Sequence, residues 1–139
     1  MTLSIRNQLP GTVTEVHPGE VMAAVKVRLD GGQHLTAVIT LEAAEQLGLA
    51  PGSAVRALTK STEVALATGR VEGLSIRNQL PGTLTHLTVG AVMACAKITV
   101  EGGELTAAIT KDAAADLGLF VGSDVVVLIK STEVSLATA

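Results

Sequence analysis

Aromatic side chains are almost missing from this sequence. Its 139 residues include one phenylalanine, Phe120, and neither tyrosine nor tryptophan. Any core must therefore be assembled from Val, Leu, Ile and Ala, which bury less area per residue than rings do. Packing between parts of the chain, and between chains, is expected to add support. The same lack removes the stacking platforms on which single-stranded nucleic acid is held. Cysteine is scarce as well: Cys95 stands alone, which excludes an intrachain disulfide. It falls in an alternating strand and is expected to be a small buried thiol rather than a nucleophile. Charge is modest, 10 basic against 13 acidic side chains for a net −3, and no basic tail offers a footprint for a polyanion. No apolar run reaches the length of a membrane span. The first residues do not pair a basic region with an apolar one, as a signal peptide would. The expectation is a cytoplasmic protein with no nucleic-acid and no membrane partner.

What the sequence does have, it has twice. Ser4-Ile5-Arg6-Asn7-Gln8-Leu9-Pro10-Gly11-Thr12 returns unchanged from Ser75 to Thr83, and Lys60-Ser61-Thr62-Glu63-Val64 returns as Lys130 to Val134. With His34 as a one-residue insertion in the first copy, the two halves align throughout. Residues 1–69 and 73–139 are expected to be two domains of one kind, joined by Gly69-Arg70-Val71-Glu72-Gly73. Each is near the lower size limit for a domain without disulfides or metals. The linker is too short for the copies to roam, so a fixed pseudo-symmetric pair is expected.

Within the first copy, residues 3–16 read as a strand disturbed at Pro10-Gly11, because proline cannot donate to a ladder. His17-Pro18-Gly19 reads as a turn. Ala23, Val25, Val27 and Leu29 alternate with Ala24, Lys26 and Arg28, the period of a half-buried strand. Asp30-Gly31-Gly32 signals a hairpin into a third strand carrying Leu35, Ala37 and Ile39. Thr40 is placed to cap a short helix over 41–47, with Glu42 in its first turn and Gly48 at C′. Strands over 54–60 and 63–68 complete the unit. The second copy repeats the plan, with Asp112, Gly118 and Gly122 for Glu42, Gly48 and Gly52. The expected fold is all-β: tandem five-stranded barrels of the OB type, each with one short helix between its third and fourth strands.

Enzyme chemistry finds no support. His17, His34 and His86 have no counterparts in the other copy and lack metal-ligand spacing. No glycine-rich phosphate loop follows a strand and opens a helix. Glu63 and Glu133 are repeated carboxylates, but a general base needs a partner and a pocket that the sequence does not show. What recurs is a set of hydrogen-bond donors: Ser4, Arg6, Asn7, Lys60, Ser61 and Thr62, and again Ser75, Arg77, Asn78, Lys130, Ser131 and Thr132. Hydroxyls, amides and ammonium groups suit a small oxyanion. These blocks stand unbroken while neighbours have drifted, Glu15 to His86, Arg28 to Thr99 and Leu41 to Lys111.

The Ser-Ile-Arg-Asn-Gln-Leu-Pro-Gly opening, the Gly31-Gly32 hairpin, Ile39-Thr40 before the helix and the Lys-Ser-Thr-Glu-Val close resemble the molybdenum-pterin-binding proteins, or molbindins. The resemblance covers both copies and nearly the whole chain. It implies OB-like domains, six around a common axis, hence a homotrimer of two-domain chains. It also implies molybdate as ligand, with tungstate as its mimic and no organic cofactor, bound where domains meet. The binding residues it implies are Ser4, Arg6, Asn7, Lys60 and Ser61, with Ser75, Arg77, Asn78, Lys130 and Ser131; molybdenum would be held as the oxyanion, without direct side-chain ligation of the metal. Ile5 and Ile76 stand where alanine is common in the family. No Walker motif and no helix-turn-helix accompany the repeats, so the implied role is a free-standing store or buffer. The alternatives are an OB-type single-stranded nucleic-acid module and a structural or protein-interaction module without ligand.

Overall fold

The alternation of apolar and polar residues translates directly into strands. The computed structural model describes residues 2–138; Met1 and Ala139, the outer bounds of the two expected domains, lie outside them. The first copy runs β1 (Asn7–Pro18), β2 (Met22–Leu29), β3 (His34–Thr40), α1 (Leu41–Gln46), β4 (Ala54–Thr59) and β5 (Val64–Ala67). The second runs β6 (Asn78–Val89), β7 (Met93–Val100), β8 (Gly103–Thr110), α2 (Lys111–Asp116), β9 (Asp124–Ile129) and β10 (Ser135–Thr138). Single 3-10 turns, Ser61–Glu63 and Ser131–Glu133, precede β5 and β10.

Local signals are realised closely. The Thr40 hydroxyl accepts from Ala43 N at 3.1 Å, and Thr110 does the same for Ala113. Gly48 and Gly118 follow the helices at φ 63° and 61°, the left-handed conformation that ends a helix with least strain. The extra residue of the first copy lengthens its β2–β3 hairpin: Gly32 N donates to Leu29 O there, whereas Val100 pairs directly with Gly103 in the second copy.

Two strand-level expectations are corrected. Pro10 does not interrupt β1; it keeps register opposite Arg56, and its carbonyl accepts from Asp30 N. The irregularity lies between Val13 and Glu15, and again between Leu84 and His86. Gly11 is required for a different reason: a Cβ there would sit 2.7 Å from Arg28 O and Val27 Cγ1, where β1 crosses β2. Cys95 is exposed, not buried. It lies opposite Thr88 on β7, and the strand's alternation puts it on the outer face, overriding the usual preference of a thiol for the interior.

The larger correction concerns how each unit is completed. The strand order is β10-β4-β1-β2-β3 in one sheet and β5-β9-β6-β7-β8 in the other. Each copy therefore gives its last strand to its twin: Ser135 pairs with Leu58, and Val64 with Ile129. Closed five-stranded barrels are not formed. The sheets curl into open half-barrels, each with its short helix, and their inner faces merge into one aliphatic core from Leu9, Val25 and Val27 to Ile98, Val127 and Ile129. Phe120 takes no part and is 66% exposed.

An amide from the opposite sheet engages the edge at β3 and another the edge at β8. Asn78, only 3% exposed, donates from Nδ2 to Thr36 O at 2.8 Å and accepts from Thr36 N at 2.8 Å. Asn7 treats Thr106 of β8 identically, at 2.8 Å in both directions. One side chain thus reproduces the paired hydrogen bonds of an antiparallel neighbour, satisfying edge groups that would otherwise be open.

Two outcomes follow for folding. Asn7→Ala or Asn78→Ala leaves one buried N–H and one C=O unpaired and should cost about 2 kcal/mol, read as a lower midpoint in chemical denaturation; an unchanged midpoint would remove the clasp from the account. Residues 1–69 produced alone should form a strand-exchanged dimer by light scattering, whereas a stable monomer would show that β5 can fold back onto its own β4.

Candidate functional site

Pairing of β1 with β4 sets Asn7 opposite Thr59, so the opening block of each copy lies beside the lysine turn that follows β4 or β9. Strand exchange then brings in the other copy's turn. The result is two related clefts. The first, about 190 Å³, is lined by Ile5, Thr59 and Lys60 of the first copy and by Thr132, Glu133 and Ser135 of the second, with Glu63 also on its wall. The second, about 120 Å³, is lined by Ile76, Leu128 and Lys130 of the second copy and by Thr62, Glu63 and Ala65 of the first. Both clefts are lined by residues of both copies.

The expected residues divide by position. Lys60 and Lys130 are exposed, one per cleft, and among the described residues neither is ion-paired. Ser61 and Ser131 are half-buried within the 3-10 turns. Ser131 Oγ accepts from Asn78 Nδ2 at 3.5 Å. Asn7 and Asn78 are buried and already engaged by Thr106 and Thr36. Ser4, Arg6 and Ser75 are exposed and stand outside both walls. Arg77 is also exposed and faces a separate cavity of about 300 Å³ with Arg70 and Glu72. That cavity exists because Gln79 holds the linker, accepting from Val71 N at 3.0 Å and donating to Val71 O at 2.8 Å.

Much of the unbroken nine-residue block thus has a mechanical explanation. Asn7 bridges the sheets, Leu9 is core, Gly11 permits a crossing, and Gln8 donates to Ile5 O at 3.1 Å. Ser4 and Arg6 are left facing solvent. The clefts are also less purely donating than the sequence suggested, since Glu63 lines both and Glu133 lines the first. Electrostatic coupling elsewhere is superficial: the His17 hydrogen bond at 2.6 Å, helped by Lys26 at 3.7 Å, holds the Glu15 carboxyl below its usual range, and none of the three lines either cleft.

Sequence reasoning missed Thr59. Its signal was a lone hydroxyl ending Ala54-Val55-Arg56-Ala57-Leu58, where the second copy has Ile129. Among the described residues no group of three or more His, Cys, Asp or Glu is placed to hold a metal ion, and no helix is long and apolar enough to cross a membrane.

Comparison with known proteins matches the TOBE domain family model over residues 3–66 and 74–136. The molybdenum-pterin-binding protein MopB of Rhodobacter capsulatus is 42% identical over 136 residues, covering 96% of this chain and 50% of MopB. The molybdenum transport protein ModE of Azotobacter vinelandii is 38% identical over 138 residues, covering 99% of this chain and 51% of ModE. The chain spans about half the length of these relatives. A crystal structure of the cytoplasmic molybdate-binding protein ModG, with molybdate bound, superposes with a TM-score of 0.96 at 41% identity, covering 100% of both chains.

Proposed function

The chain belongs to the TOBE domain family, with molbindins among its relatives, and on that premise we propose that it reversibly binds, stores and buffers intracellular molybdate, with tungstate as a close mimic. One observation carries the reading: full-length likeness to a molybdate-bound protein. It is supported by two copy-bridging clefts, each presenting an unpaired lysine. The activity is non-catalytic capture in the cytoplasm, without an organic cofactor, and no nucleic-acid or membrane partner is proposed.

The working units are the two repeats, 1–69 and 73–139, built as OB-like barrel derivatives with exchanged last strands. Lys60 and Lys130 supply charge-assisted contacts to the dianion. Ser61 and Ser131 add donors from the adjoining turns, while Asn7 and Asn78 hold strand edges in place and, for Asn78, orient the Ser131 hydroxyl. In one chain, a single lysine faces two carboxylates across the first cleft, which is a poor balance for a dianion. We propose that a homotrimer corrects it, bringing Ser4, Arg6, Ser75 and Arg77 of one chain toward the lysine turns of another. Val21, Met22, Val92 and Met93, exposed at hairpin ends, are apolar surface available for that assembly. Selection against sulfate rests on size, since both anions are tetrahedral and doubly charged.

Calorimetry on the intact protein should give tight binding of molybdate and tungstate and weaker binding of sulfate; equal, weak heats for all three would overturn the reading. Native mass spectrometry should show three chains retaining oxyanion. Lys60→Ala combined with Lys130→Ala should weaken molybdate binding about tenfold or more with an unchanged melting temperature, and unaltered affinity would remove the lysines from the site.

A further inference from the structure

Leu58 and Leu128 are buried, 5% and 7% exposed, yet neither belongs to the shared core. Strand alternation explains this. Their neighbours Ala57 and Val127 point into the core, so the leucines turn to the outer faces of their sheets. On that face Leu58 sits opposite Gln8, and Leu128 opposite Gln79. Gln8 Nε2 donates to Ile5 O at 3.1 Å, and Gln79 Nε2 donates to Ile76 O at 3.2 Å. Each glutamine thereby ties the segment ahead of its strand to the outer face. Ile5 joins Leu58 on the wall of the Lys60 cleft, and Ile76 joins Leu128 on the wall of the Lys130 cleft. Both isoleucines are half-buried. The same apolar pair thus stands beside the lysine in each cleft, although the clefts differ elsewhere, with Ser135 in one and Ala65 in the other.

Charge does not choose between dianions here. Each cleft sets one lysine against a glutamate of the other copy, Glu133 in the first and Glu63 in the second, and Glu63 also reaches the first. These charges act nearly alike on molybdate and sulfate, which share charge and shape. The two ions differ in size. The Born cost of taking an ion out of water falls as its radius grows, so the larger ion holds its hydration less firmly. A wall without hydrogen-bonding groups offers nothing in place of the lost water. It therefore penalises sulfate more than molybdate.

We propose that the Ile5–Leu58 and Ile76–Leu128 walls are the selectivity elements of the two clefts, with Ile5 and Ile76 as the specificity-determining residues. They favour a large, weakly hydrated tetrahedral dianion over a small, strongly hydrated one. The inference rests on the oxyanion reading above and names how size is read at that site. Lysine draws in either anion, and isoleucine decides which of them sheds water against the wall. Gln8 and Gln79 are positioning residues that hold the two isoleucines in place.

Calorimetry on the full chain, with molybdate and sulfate titrated separately, tests this. Ile5→Ala combined with Ile76→Ala opens both walls to water. The preference for molybdate over sulfate should shrink about tenfold, the scale of the apolar area removed. Ile5→Val with Ile76→Val keeps a branched apolar wall and should retain most of the preference. Ile5→Thr with Ile76→Thr keeps the branched shape but adds a hydroxyl, and it should narrow the preference as alanine does, even where the alanine variant fails to fold. A preference unchanged in the alanine and threonine variants, or an equal loss of affinity for both anions, would overturn the inference while leaving oxyanion binding intact. A wild type that binds neither anion, or both alike, would overturn the molybdate reading itself, and this inference with it.

Discussion

The amide of one asparagine per copy, set against the backbone of the opposite sheet, is the interaction on which the rest of the structure depends. β3 and β8 are edge strands, and Thr36 and Thr106 turn backbone N–H and C=O groups outward. Closing each sheet on itself would satisfy them, and so would another strand. Asn78 and Asn7 do it with a side chain, from the other sheet, at 2.8 Å in each direction. Each half-barrel can then stay open with its β3 or β8 edge engaged by the opposite sheet. The openness leaves room for the lysine turns, and the direction of the clasp fixes which turn faces which strand. Fold, pseudo-symmetry and cleft composition all pass through these four hydrogen bonds.

Local chemistry was readable where it depended on neighbours in sequence. Thr40 capping Ala43, Gly48 at positive φ and the Asp30-Gly31-Gly32 hairpin each rest on residues within a few positions of one another. The alternation in β2 correctly gave its buried face, Ala23, Val25, Val27 and Leu29. The same alternation placed Cys95 on the outer face of β7, and the general tendency of thiols to be buried carried less weight than the pattern of its own strand. What periodicity does not contain is the identity of the neighbouring strand. Val64–Ala67 and Ser135–Thr138 have four residues each, and nothing in them distinguishes their own sheet from their twin's. Barrel closure was therefore the natural expectation, and exchange was invisible.

The site was half legible for a related reason. Lysine and serine donors were singled out because they recur, and of these the lysines line the clefts. Recurrence does not separate binding from mechanics, however: Asn7, Gln8 and Gly11 repeat because a sheet edge, a loop and a strand crossing require them. Thr59 escaped notice because it breaks the repeat.

Exchange also alters what the linker means. Gly69 to Gly73 is the sole covalent connection between the copies, yet cutting it would not free two domains. Each fragment would still hold the last strand of the other, and separation would require two sheets to lose an edge strand together while a shared core came apart. The halves are interlocked rather than merely tethered. Their persistence after a nick would be governed by the height of an unfolding barrier rather than by the affinity of one surface for another.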